Sequence, residues 1–332
     1  MAIVIDAHSD ILNDIYPRRT LGEKGVLEKF WVPKMRRGKI DLRVAALYSD
    51  SQYLPELALR RGLDLIDTLY LEIEESPSSV LCTSFQDILK AKEEGKIGFM
   101  IGMEGAEPLG ADIRLLRIFY KLGLRLLGLT HALRTSLADG AFLFPKRMGH
   151  VGGLTDVGLS FLEEAQALGI LIDVSHLNDP SFWDVMTFTK MPVVASHSNC
   201  RALCDHPRCL TDEQIKALAD AGGVMGVNAC SLFVTPADFE HLVDHIDHIV
   251  KMGGIEAAGL GPDFADYLLK YMTEGERARL PLDGIRPVKG YGGDEDFSII
   301  AGELAKRGYK AADIDLIMGH NFLRVFREVL KP

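Results

Sequence analysis

The feature that most limits how this chain can fold is an alternation running from end to end. Short apolar, β-rich runs are separated by stretches of helical period. Eight candidate strands carry it: residues 3–8 (IVIDAH), 42–48 (LRVAALY), 97–104 (IGFMIGME), 124–131 (LRLLGLTH), 169–176 (GILIDVSH), 192–197 (PVVASH), 223–229 (GVMGVNA) and 257–263 (AAGLGPD). Strands that are apolar almost throughout belong to a parallel sheet covered on both faces, with helices as the crossovers. The helical stretches carry their own start signals. Thr211 followed by Gln214 is a capping box, in which each side chain satisfies a backbone N–H at the helix start. Eight such units predict an α/β fold closed into a (β/α)8 TIM barrel, rather than an open doubly wound sheet. No glycine-rich phosphate loop follows the first strand, which disfavours a nucleotide-binding sheet.

At 332 residues the chain is of a size that one barrel can absorb, so residues 1–332 read as a single catalytic domain. The regular alternation breaks only after the eighth strand. Roughly residues 264–294 are rich in glycine, proline and charge, and on a barrel a long loop there lies over the catalytic face. Two helical patterns, about 295–307 and 313–329, close the chain. A formal charge of −10 argues against nucleic acid or an anionic membrane surface as the partner. No run approaches the ~20 apolar residues of a membrane span, and the N-terminus opens directly on a strand. The five cysteines form no C-x-x-C pair and read as reduced thiols, which together with the missing leader predicts a cytoplasmic protein.

The ends of the candidate strands carry the chemistry. His8 closes the first, with Asp10 just beyond it; Glu104 closes the third, His131 the fourth, His176 the fifth, His197 the sixth and Asp263 the eighth. In a (β/α)8 barrel these ends converge on one face, where active sites are built. His8 and Asp10 are two apart, so an extended backbone projects them to the same side. Glu104 has two oxygens and can bridge two cations. Imidazole and carboxylate without thiolate suit zinc ahead of manganese or iron. Five ligands exceed what a three-ligand catalytic zinc needs and match two ions sharing a bridging carboxylate. Such a pair, ~3.5–4 Å apart, can hold a hydroxide between the ions and stabilise a tetrahedral intermediate. His131 and Asp263 fit either a direct role or that of orienting a ligand by hydrogen bonding. His241, His245 and His248 resemble a helical metal motif, but the apolar face formed by Phe239, Leu242, Val243, Ile246, Ile249 and Val250 predicts that all three point to solvent.

Taken together, these segments resemble the membrane dipeptidase (renal dipeptidase) family, peptidase family M19. The matching stretches are Asp6-Ala7-His8-Ser9-Asp10, Gly102-Met103-Glu104-Gly105, Leu129-Thr130-His131, Leu171-Ile172-Asp173-Val174-Ser175-His176, Ala195-Ser196-His197-Ser198 and Gly259-Leu260-Gly261-Pro262-Asp263-Phe264. The closing Asn321-Phe322-Leu323-Arg324-Val325-Phe326 also looks like the family's C-terminal helix. The resemblance implies a metallo-dependent hydrolase barrel holding two Zn2+ per chain and cleaving small dipeptides, L-D dipeptides among the candidates. It places His8 and Asp10 on one zinc, His176 and His197 on the other, and Glu104 on both. It gives His131 the scissile carbonyl and its oxyanion, Asp263 the proton transfers, and Arg208 the substrate's C-terminal carboxylate. Guanidinium is the natural partner of a carboxylate, although the residues alone leave Arg208 equally readable as a surface arginine. The resemblance also favours a homodimer.

Two positions depart from the family. Cys209 stands where the family usually has Asn, and Asp263-Phe264-Ala265-Asp266 replaces the common D-F-D-G. Both changes bear on the substrate rather than on the metal site. The competing enzyme class is an amidohydrolase acting on another small amide, a cyclic amide or a lactone. Many of those open with H-x-H and bridge their metals with a carboxylated lysine, whereas this chain has H-x-D. A barrel that binds without cleaving would typically have lost a ligand, and all five are present.

Overall fold

The computed structural model describes residues 2–143, 150–271 and 285–331. Nine strands form one sheet: β1 (Ile5–Ser9), β2 (Leu42–Tyr48), β3 (Ser79–Leu81), β4 (Ile97–Glu104), β5 (Leu124–Gly128), β6 (Leu171–Asp173), β7 (Val194–Ser198), β8 (Val224–Val227) and β9 (Ala258–Leu260). Eight run in the parallel order β1-β2-β4-β5-β6-β7-β8-β9, and β9 comes back beside β1, so the sheet nearly closes into a (β/α)8 barrel. The short β3 stands off this path and pairs only with β4. Its three residues are too few for period alone to reveal, and the sequence reading missed it.

Every residue of β4 is buried, as a strand covered on both faces requires. Close strand packing demands glycine where two backbones meet. A Cβ at Gly226 or at Gly261 would collide with the Ser196 carbonyl, so both positions let β8 and the exit from β9 sit tight against β7. The capping box at Thr211 is present, starting the helix Asp212–Asp220. A second, Ser84 with Asp87, starts the helix Phe85–Glu93.

The strands are shorter than their apolar runs. β5, β6 and β9 end at Gly128, Asp173 and Leu260, three residues before His131, His176 and Asp263. These side chains therefore sit on the first turn of the loops at the C-terminal rim, not on the sheet. His176 (φ 65°) and Asp263 (φ 55°) adopt left-handed backbone, unusual without glycine and concentrated at functional sites.

The helix Phe239–Gly253 corrects one expectation. His241 is partly exposed and caps against Asp238, and His248 reaches Asp212. His245, however, is 1% exposed, and its Nδ1 accepts a hydrogen bond from the backbone N–H of Cys200 at 3.0 Å. It stands three residues from Leu242 and four from Ile249, on their side of the helix, where the loop after β7 covers it. After β9, the stretch 264–294 forms the turn Asp266–Lys270 and rejoins at 285, where Val288 donates to the Ala229 carbonyl. Residues 272–284 lie outside the described residues. The helices Ile299–Lys306, Ala311–Asp315 and Asn321–Val329 follow.

Candidate active site

One carboxylate organises the C-terminal mouth of the barrel. Glu104, the last residue of β4, places Oε1 3.0 Å from His176 Nε2, 3.3 Å from His197 Nε2, 3.6 Å from His8 Nε2 and 3.9 Å from His131 Nε2. His8 stands among three carboxylates, with Asp263 at 3.8 Å and Asp10 at 4.0 Å in addition to Glu104. His176 and His197 bring their Nε2 atoms within 2.9 Å of each other, and the His8 ring stacks on His197 with centroids 3.7 Å apart. The residues that sequence reasoning placed at strand ends thus meet in one cluster, drawn from six loops and strands.

The electrostatics follow from burial. Burial, then the positive charge of Arg208 and neighbouring imidazoles, holds His176 and His197 well below the usual imidazole range, in the neutral form that ligates metal. Burial lowers His131 as well, with Arg208 and His8 adding to it. For Glu104 burial works towards protonation, but His8, His131 and the hydrogen bonds from His176 and His197 outweigh it and keep the carboxylate ionised. Asp263 is pushed up to about 6, chiefly by burial and by Glu104, against the pull of His8 and Arg208.

The donors fit a metal. His8 Nε2, Asp10 Oδ1 and Glu104 Oε2 are buried and have no hydrogen-bond partner, a costly state for polar atoms that a cation would relieve. His8, Asp10 and Glu104 place one atom each within 4.8 Å of one another, and so do Glu104, His131 and His176. The two triads share Glu104, which suits a bridging role.

Three supporting residues were not found from the sequence. Asp173, at the end of β6, joins a third triad with His8 and His197. Its oxygens are already taken, accepting from the backbone of Ser175 at 2.9 Å, the backbone of Ser196 at 3.0 Å and the Ser196 hydroxyl. Ser196 Oγ in turn meets His197 Nδ1 at 2.8 Å, so Asp173 fixes the imidazole through Ser196 and turns its Nε2 to the cluster. Asn228 does the same for Asp263, donating from Nδ2 to Oδ2 at 3.0 Å. Asp173 and Ser196 stand in stretches that match the family but carried no role there; Asn228 gave no signal.

Arg208 is 3% exposed. Its terminal nitrogens donate to Ser198 Oγ and to the His197 carbonyl, each at 2.6 Å, bracing the end of β7. It is not among the described residues that face the cavity. That cavity, about 390 Å³, opens directly over the cluster, with Asp10, Glu104, His131, His176 and Asp263 on its floor.

Residues 1–275 match the family model for membrane dipeptidase (peptidase family M19). An uncharacterized protein from the pqqA 5′ region of Klebsiella pneumoniae is 31% identical over 257 residues, covering 75% of this chain and 88% of its own length. Mus musculus dipeptidase 3 is 30% identical over 303 residues, covering 89% of this chain, which in turn spans only 57% of that protein. Among solved structures, a metallo peptidase from Rhodobacter sphaeroides liganded with a phosphinate mimic of the dipeptide L-Ala-D-Ala superposes with a TM-score of 0.86 at 23% identity, over 99% of this chain and 100% of that one. At that identity the likeness speaks for the fold.

Proposed function

This chain belongs to the membrane dipeptidase family, peptidase family M19, and from that premise we propose that it is a zinc dipeptidase hydrolysing small dipeptides, L-D dipeptides among them. The observation that carries the reading is Glu104, one ionised carboxylate ringed by four imidazole nitrogens, beside buried donors that lack partners. His8 and Asp10 would hold one zinc and His176 and His197 a second, with Glu104 bridging them; nitrogen and oxygen donors without thiolate favour zinc. When bound, the metal pair supplies Lewis acidity towards the peptide carbonyl and towards the attacking water.

The protein's own groups do the rest. Asp263, steered by Asn228, takes the proton of the attacking water and delivers it to the leaving nitrogen. His131 sits on the cavity floor with its ring against Tyr48 and donates to the carbonyl oxygen as negative charge develops there. Arg208 supplies positive charge for the substrate's terminal carboxylate. Its terminal nitrogens are held by Ser198 and the His197 carbonyl and it does not line the cavity, so a direct grip would require it to release those partners. The Rhodobacter sphaeroides ligand supports the inclusion of L-D dipeptides. Cytoplasmic residence belongs to the same proposal and is supported by five free thiols. A homodimer is proposed from the family resemblance alone.

The test is metal analysis of the purified protein together with hydrolysis of L-L and L-D dipeptides, with and without added zinc. About two zincs per chain and zinc-dependent cleavage are expected. Two zincs with turnover only of cyclic amides or lactones would replace the dipeptidase reading with the amidohydrolase one. No metal uptake at all would overturn the assignment of the site.

A further inference from the structure

We propose that the substrate residue on the leaving-amine side of the scissile bond is large and apolar, seated on a shelf made by Leu143, Leu232 and Phe233. The inference rests on the dipeptidase reading and adds a substrate class to it. At about 390 Å³ the cavity lies in the range of small-molecule sites, and its lining combines four carboxylates with apolar side chains. The carboxylates of Asp10, Asp50, Glu104 and Asp263 come from the ends of β1, β2, β4 and β9, whereas Leu143, Leu232 and Phe233 come from the loops after β5 and β8.

The shelf is assembled by three loops. Leu143 lies on the segment after β5, and Leu232 and Phe233 lie after β8. All three pack in one apolar cluster with Cys209, from the loop after β7. His206, also on the loop after β7, ties them together. Its Nε2 donates to the Leu143 carbonyl at 3.1 Å, and its ring packs edge-on against Phe233 with centroids 5.0 Å apart. The shelf is therefore held in place before any ligand arrives, and none of its three faces carries a charge.

Direction follows from what borders each side. Asp263, which serves the leaving nitrogen, is held by Asn228 just after β8, on the same loop as Leu232 and Phe233. The Arg208 guanidinium does not line the cavity but lies 5.9 Å from the Phe233 ring, so its positive charge reaches a terminal carboxylate from beneath the shelf. Tyr48, Asp50 and Ser51, at and after the end of β2, also line the cavity, and Asp50, which accepts from Arg61 at 3.3 Å, is a carboxylate outside the proposed ligand set that suits a substrate ammonium. A dipeptide laid across Glu104 thus turns its amino-terminal residue to Asp50 and its carboxy-terminal side chain to the shelf.

The experiment compares kcat/KM of the zinc-loaded enzyme for Ala-Gly, Ala-Leu, Ala-Phe and Phe-Ala, and the Kd of phosphinate mimics of Ala-Gly and Ala-Phe by calorimetry. Seating a leucine or phenylalanine side chain should raise kcat/KM by about 10- to 100-fold over Ala-Gly, with the mimics' Kd values in a like ratio. Ala-Phe should also exceed Phe-Ala. In Leu232→Asn the Ala-Phe to Ala-Gly ratio should fall about tenfold, through KM rather than kcat. Equal kcat/KM for Ala-Gly and Ala-Phe would overturn the shelf and leave the dipeptidase reading standing. A preference for Phe-Ala over Ala-Phe would overturn the assigned direction. Cleavage of none of the four would overturn the dipeptidase reading and this inference with it.

Discussion

Asp6 and His8 lie two residues apart on β1, and each anchors a buried cluster of charged groups. Around Asp6 the charges pair with one another. Arg43 on β2 is fully buried, donates from Nε to Asp6 at 2.8 Å, and grips Asp294 with both terminal nitrogens at 2.9 and 2.5 Å. Around His8 the groups are as buried but stay unsatisfied, with His8 Nε2, Asp10 Oδ1 and Glu104 Oε2 all lacking a partner. Burying charge is costly in both places, and the two clusters offset that cost differently. The Asp6 cluster closes on itself and ties β1 and β2 to the segment leading into the C-terminal helices. The His8 cluster leaves its donors pointing at a common space, which is what a cation site requires.

The sharpest way to break the comparison is to disarm one cluster without collapsing it. Asp263→Asn should lower kcat by about 10²- to 10⁴-fold while metal content stays unchanged, because Asn228 can still hold the side chain and no proposed ligand is removed. Near-normal turnover, measured beside metal content on the same sample, would take proton transfer away from Asp263.

The Asp6 cluster should answer in stability instead. Arg43→Met leaves two buried carboxylates without their cation and should cost about 3–5 kcal/mol in urea denaturation. Activity per folded molecule should stay near that of the parent. A loss of activity larger than the loss of folded protein would mean that the two clusters act as one.

The smallest expected effect concerns pH. His245 is buried and neutral, and burial pushes its imidazole down to about 4. Between that value and the unfolded imidazole's ~6.5 the unfolded chain binds the extra proton, so folding stability rises with pH across this window and is lost as pH falls through it. The contribution is at most roughly 3 kcal/mol. In His245→Asn the drop in Tm between pH 7 and pH 5 should be smaller than in the parent. An unchanged drop would assign the acid sensitivity to other groups.

How much of this was legible beforehand depended on range. The eight barrel strands and the cluster at their ends followed from local period and from residue types recurring at equivalent places. The Arg43 triad did not, because Asp294 is 251 residues away in sequence and no local pattern pairs it with Arg43. Nor did the burial of His245, since a helical wheel describes one helix and not the loop packed over it. The exact strand ends were also hidden, because an apolar residue follows the ladder directly, Leu129 after Gly128 and Val174 after Asp173.

By itself the sequence determined the class of fold, the family, and which side chains could meet a metal, because each of these is written in spacing along the chain. Only the tertiary structure decided which donors lie within reach of one another, that Asp173 and Asn228 hold His197 and Asp263 in place, and that Leu143, Leu232 and Phe233 cluster at the cavity. Those depend on loops from distant parts of the chain arriving at one rim, and no local pattern records the register and curvature that bring them there.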